Sequence, residues 1–219
     1  MTIKQILEYF QTQPFRVRLY VLIRVFILDL NRTIGRFPPK ASSIMELACG
    51  YGIASFMLAG KYKHIPINSY DIDQKRIDIL NSINPFEHLN FHKQNILEIQ
   101  KFDSGVIFMS DLLHHLTYEQ QKALLKKIYD TAPHDSLLII KDMDKGQRSF
   151  RQLCNYMIDF LHTKQRRFYY HTKDSFLDLF IACGFKVNYS GYINKWFIPL
   201  NHALFVLEKE KKSSAKVGE

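Results

Sequence analysis

The chain has 219 residues, 47% of them hydrophobic and 23% charged, the balance of a globular protein with a real core and long enough for one α/β domain with additions. Three widely spaced cysteines, Cys49, Cys154 and Cys183, exclude a disulfide framework and a CxxC metal pattern, and fit a reducing, cytoplasmic interior. The net charge of +9 favours an anionic partner without choosing among nucleic acid, an acidic lipid surface and an acidic carrier protein.

Residues 1–40 read as a helical lid or docking segment placed before the main domain. Met1–Gln13 lacks the continuous apolar run of a secretory signal, so none is expected. Ile3, Ile6, Leu7 and Phe10 recur at helical spacing, and Pro14 interrupts. The stretch from Phe15 to Leu30 then predicts a helix that is apolar nearly all round. It is too short and too charged to span a bilayer, which takes about 20 apolar residues. Two readings stand. As a lid, it packs on the domain over the cofactor or acceptor pocket, with Tyr9, Phe10, Arg16 and Tyr20 near the reacting atoms beside Met157. As an interfacial helix, residues 15–30 rest on an anionic membrane through Arg16, Arg18 and Arg24, each contributing roughly 1 kcal/mol. The lid is favoured, because interfacial helices usually show a cleaner polar face. Phe37–Lys40 reads as the linker.

The main domain spans 41–209. It opens with an apolar strand ending in an acid, Ile44-Met45-Glu46-Leu47, then the turn Ala48-Cys49-Gly50-Tyr51-Gly52, then an apolar helix start at Ile53. Strand, glycine turn and helix form the first unit of a nucleotide-binding α/β fold. Gly50 and Gly52 let the backbone take unusual dihedrals and allow a ligand to approach. The helix N-terminus behind them offers N–H groups to an anion. A second strand ends at Asp71, placed to accept from a ribose hydroxyl, with Asp73 the better candidate for a helix N-cap. A helix follows from Gln74 to Asn81. Leu89 to Leu97 reads as a third strand and loop, and Phe102 to Met109 as a fourth strand leading into Ser110 and Asp111. Thr117 with Gln120 marks a capping box. Ser136 to Asp142 is a fifth strand of buried character. An insertion, 145–171, carries an amphipathic helix around Phe150, Leu153, Met157, Phe160 and Leu161, then the basic aromatic run from Arg166 to His171. A helix from Thr172 to Cys183 closes at Gly184, two strand-like runs follow, and 210–219 reads as a disordered polar tail.

In this order the elements resemble the class I S-adenosyl-L-methionine (SAM) dependent methyltransferases. The carriers are Glu46-Leu47-Ala48-Cys49-Gly50-Tyr51-Gly52, Asp71 at the second strand end, and the segment from Phe102-Asp103 to Leu113-His114-His115-Leu116. Ala48 stands where the family has glycine, a mild departure. Ser55 stands where a dinucleotide site has its third glycine, which argues for SAM over NAD. The resemblance implies a seven-stranded, mostly parallel sheet with helices on both faces and a C-terminal antiparallel hairpin, strand seven lying between five and six. It also implies a cofactor site of Glu46, Ala48, Gly50, Gly52, Asp71, Ile72, Asn95, Ile96, Ser110 and Asp111. Within it Glu46 helps to hold the methionyl ammonium, Asp71 the ribose and Asn95 the adenine amino group.

His114 and His115 are the candidate general bases, His114 first, with helix capping or packing as the structural alternative. Asp111, Asp142 and Asp144 would be the acids of a metal site of the catechol O-methyltransferase kind, but that local context is not matched and no metal is expected. The Asn-Pro-Pro-Tyr segment of amino-group methyltransferases is absent, and no RNA-binding module is visible. The expected reaction is therefore O-methylation of a small hydrophobic or lipid-like acceptor. Two alternatives remain: an RNA methyltransferase using the basic segment 164–171 with Tyr169 and Tyr170, and a non-catalytic SAM-binding protein associated with a membrane.

Overall fold

The computed structural model describes residues 2–145, 167–193 and 201–209. Three helices come first: α1 (Ile3–Tyr9), α2 (Phe15–Ile27) and α3 (Leu30–Gly35). The domain then alternates β1 (Ile44–Leu47), α4 (Ile53–Lys61), β2 (Ile67–Asp71), α5 (Gln74–Ile83), β3 (Leu89–Lys93), β4 (Val106–Ser110), α6 (Tyr118–Thr131) and β5 (Leu137–Met143). It closes with α7 (Lys173–Ala182), β6 (Phe185–Tyr192) and β7 (His202–Lys209). One seven-stranded sheet runs β3-β2-β1-β4-β5-β7-β6. The first five strands are parallel, and β7 pairs antiparallel with both β5 and β6. This is the class I methyltransferase fold that the sequence resembles.

Parallel strands are covered on both faces, and the burial follows. Every residue of β1 is buried. One face of the sheet packs against the N-terminal helices, α4 and α5, in a core that joins Ile6, Phe10, Val21 and Val25 to Phe56, Leu80 and Phe108. The other face packs Leu124, Leu125 and Ile128 of α6 and Phe176 and Phe180 of α7 against β7. Local signals hold where a side chain bonds its own helix end. Thr117 and Gln120 form the expected capping box, and Asp73 caps α5 by accepting from the Lys75 N–H. After α7, Gly184 takes φ +97°, the left-handed region that ends helices.

Two boundaries differ from expectation by more than two residues. The apolar run from Phe15 to Leu30 is two helices. It breaks at Leu28, which is extended, and Asp29 caps α3 by accepting from the Arg32 N–H. As expected, the stretch from Leu89 to Leu97 is a strand and a loop: the strand stops at Lys93, and Asn95 caps a short 3₁₀ turn, Ile96–Glu98. The fourth strand starts at Val106 and not at Phe102. The expected insertion helix and the C-terminal tail lie outside the described residues.

Candidate functional site

A cavity of about 310 Å³ opens at the carboxyl ends of the strands, where ligands of open α/β sheets bind. Its two ends are built differently.

At one end the turn after β1 lies along the wall. Ala48, Gly50 and Gly52 all take left-handed φ, at +57°, +59° and +62°. Ala48 holds this conformation against the Cβ penalty, about 1–2 kcal/mol. The glycines divide the work. A Cβ on Gly50 would meet nothing within 4 Å, so its backbone is open, and Gly50 lines the cavity. A Cβ on Gly52 would come within 2.8 Å of Leu80 and 3.0 Å of Phe91. Gly52 is absent from the cavity wall. It permits close packing of the turn on α5 and β3, which corrects its expected role in contact with the ligand.

Asp71 braces this turn. Its carboxylate accepts from the Gly50 N–H at 2.8 Å and from the Asp73 N–H at 2.9 Å, with Arg76 at 3.7 Å. Ile72, 66% exposed, and Ile96 add apolar wall. Asn95 also lines the cavity, but its amide serves the 3₁₀ turn, accepting from the Leu97 N–H at 3.1 Å and donating to Glu98 at 3.0 Å. Ile53 and Ala54 bring the N-terminus of α4 to the wall.

Glu46 is elsewhere. Its carboxyl is buried beneath the turn, where it accepts from the Ser55 and Ser69 hydroxyls, and it does not line the cavity. Burial raises its pKa to about 7 against the opposing pull of the two hydroxyls. The expected contact with the methionyl ammonium is therefore corrected to a brace between β1, α4 and β2. Ser55, read only as a missing glycine, is the partner that the sequence reading overlooked.

At the other end Ser110 closes β4 and Asp111 follows it, and Tyr20, Arg24, Leu28 and Leu30 reach in from the N-terminal segment. Asp111, at φ +54°, gathers two cations. Arg24 donates to it at 2.8 Å, and Lys141 donates at 2.7 and 2.9 Å. His202 lies 3.5 Å away. Burial alone would raise the Asp111 pKa, but Lys141 and Arg24 hold it well below the carboxylate range. Burial lowers Lys141 despite Asp111, and burial with Lys141 brings His202 down to about 3, so that His202 is neutral. Two cations around one carboxylate leave this end with an excess of one positive charge. Arg24 was assigned to a membrane face, and Lys141 and His202 to no site. The signal was present: a lysine within the apolar run Leu137-Leu138-Ile139-Ile140 requires a carboxylate partner.

The two histidines exchange places. His114 is fully buried, with Nδ1 2.5 Å from Asp142, and does not line the cavity. Asp142 also accepts from the N–H groups of Leu112 and Leu113 at 3.2 and 2.7 Å, so this acid shapes the turn that carries His115. His114 stacks on Tyr170 with centroids 5.3 Å apart and touches the His115 ring at 4.1 Å. His115 itself lines the cavity, so the order given to the candidate bases is reversed.

Tyr9 and Phe10 pack on Phe56, away from the cavity, and Arg16 is exposed; of the four residues expected there only Tyr20 arrives. Asp144 accepts from the Tyr192 hydroxyl at 2.8 Å and the Lys173 N–H at 3.0 Å, so Asp111, Asp142 and Asp144 serve separate partners. Among the described residues no three His, Cys, Asp or Glu side chains are gathered as a metal site needs.

Residues 44–133 match a family model described as a methyltransferase domain. Over that stretch the chain is similar to a methyltransferase domain, and its fold is the class I methyltransferase fold. Its fold is similar to that of mitomycin 7-O-methyltransferase MmcR, with a TM-score of 0.70 and 12% identity over 96% of this chain and 61% of that one. Human N-acetylserotonin methyltransferase in complex with SAM gives 0.69 and 14% over 92% and 58%. Magnesium protoporphyrin IX methyltransferase from Synechocystis PCC 6803, with SAH bound, gives 0.61 and 16% over 83% and 80%. The chain thus spans about three fifths of the length of the first two structures. No curated protein sequence matches the chain.

The wall fits SAM. Gly50 offers open backbone, Asp71 a carboxylate beside it, Ile72 and Ile96 apolar surface, and the α4 N-terminus a place for a carboxylate.

Proposed function

We propose that the protein methylates an oxygen of a small, mainly apolar acceptor. One observation carries this reading: one cavity runs from Gly50 and Asp71 to Tyr20, Leu30, His115 and Leu116, so cofactor and acceptor would share one space. SAM, when bound, supplies a sulfonium methyl that leaves by in-line displacement. The chain's share is then to hold and align. Asp71 takes the ribose, and the α4 N-terminus takes the methionyl carboxylate. Leu28, Leu30, Leu112 and Leu116 exclude water around the acceptor. His115 accepts the acceptor's proton as the new bond to oxygen forms, and the 3₁₀ turn braced by Asp142 fixes its position. Much of the acceleration would come from this alignment. Two structural neighbours whose names specify small acceptors, mitomycin and N-acetylserotonin, support the acceptor class.

The RNA reading loses one of its supports. The Tyr169 N–H donates to the His114 carbonyl at 2.9 Å, and the Tyr170 ring stacks on His114. The Tyr170 ring thus serves the turn under the cavity, and the Tyr169 ring packs edge-on against Tyr118 with centroids 5.3 Å apart. Labelled SAM added to a cell extract tests the proposal. Label in an organic-soluble fraction is expected, whereas label in RNA would overturn it. Calorimetry should find micromolar binding of SAM or its demethylated product, with no binding of NAD. Asp71→Ala should weaken that binding by roughly 1–3 kcal/mol.

A further inference from the structure

Helix α2 has three sides with three environments. Val21 and Val25 are buried in the domain core, and Tyr20 and Arg24 line the cavity. The remaining side carries Phe15, Leu19, Leu22, Ile23 and Phe26, exposed by 72, 41, 51, 41 and 61%. At 3.6 residues per turn these five form one stripe roughly 100° wide. Single exposed apolar residues are ordinary, but a contiguous row marks a contact surface.

The charges beside the stripe select its occupant. Arg16 and Arg18, both exposed, fall roughly 80° to either side of its centre. No acidic residue lies on α2 to answer them, and the whole chain carries +9. Arg24, counted with them from sequence, faces the cavity and binds Asp111, so it leaves the basic rim. A twofold contact between two copies through this stripe would bring the arginine rims together, which disfavours self-association. Among the described residues no helix is long and apolar enough to cross a membrane.

We propose that α2 rests on an anionic phospholipid surface, its apolar stripe at the acyl boundary and Arg16 and Arg18 at the phosphates. This binding stands apart from the choice of acceptor. Where the acceptor is lipid-like, it places one wall of the cavity on the helix that touches the membrane.

Flotation of the full chain with vesicles of phosphatidylcholine, alone or mixed with phosphatidylserine, tests it. Binding to the mixed vesicles is expected, weakening as salt rises. The double variant Arg16→Gln, Arg18→Gln should bind them about 30-fold more weakly, the loss expected for two surface arginines. The variant Phe15→Ser, Leu22→Ser should lose vesicle binding while keeping its melting temperature and its binding of SAM. Failure of the intact protein to bind mixed vesicles overturns the proposal, as does equal binding by the serine variant. A dimer by light scattering that the serine variant dissolves, without vesicle binding, would assign the stripe to a second copy instead.

Discussion

The two ends of the cavity are made from different materials. The cofactor end is backbone: a turn of left-handed residues, the N-terminus of α4, and one carboxylate, Asp71, that holds the turn through the Gly50 N–H. The other end, where the proposed acceptor would sit, is side chains brought from far apart: Arg24 from α2, Asp111 after β4, Lys141 from β5 and His202 from β7. The first is assembled within about thirty residues and would suit any substrate of the fold. The second depends on helices added in front of the domain, and specificity can change there without disturbing the first.

That division can be broken by mutation. The largest effect is expected at His115. His115→Ala should lower turnover by about 10²–10⁴-fold, the usual contribution of a general base, and leave calorimetric binding of SAM nearly unchanged. Equal loss of binding would mean that the two ends are not separate. Asp111→Ala leaves Lys141 and Arg24 buried without their carboxylate, which should cost about 3–5 kcal/mol in urea unfolding. A loss below about 1 kcal/mol, the scale of a surface ion pair, would show that the cluster is solvated in solution.

Glu46 tests the scaffold under the cofactor end. Its pKa is raised from 4.5 to about 7, so the folded chain holds this proton longer than the unfolded chain does. The associated stability is full below pH 4.5 and is lost as pH rises through about 7, by about 3 kcal/mol. Urea unfolding across that window should show the decline in the native protein and a flatter profile in Glu46→Gln. A parallel decline in both would assign it to other groups.

The smallest effects separate the two glycines. Gly52→Ala meets both the left-handed penalty and the Leu80 contact, so about 2–4 kcal/mol of stability should be lost. Gly50→Ala should cost only about 1–2 kcal/mol of stability, with its main loss in cofactor binding. Identical stability losses would remove the distinction between a packing glycine and an open one.

The same contrast explains what was legible in the sequence. The glycine turn, Asp71 and the Thr117 cap were readable, because each rests on periodicity or on contacts within a short stretch, whereas the sheet order was implied only by the resemblance to class I methyltransferases. The direction of a side chain was not. Glu46 sits in a strand buried on both faces, and only packing tells which way its carboxyl points. His114 and His115 differ by one position in a 3₁₀ turn, and Asp142, far along the chain, decides which faces the cavity. Arg24 looked like one of three surface arginines until the fold placed Asp111 against it.

The bond between Arg24 and Asp111 joins residues 87 positions apart. At about 5–20 residues per second, α2 leaves the ribosome roughly 4–17 seconds before its partner does. The core that receives Val21 and Val25 includes Phe108 and Ile139, which are also made later. For that interval the nascent chain displays the whole circumference of an apolar, arginine-bearing helix. Early capture by a chaperone or a bilayer would therefore compete with docking, and the rate of translation would help to set how much of the chain reaches the folded state.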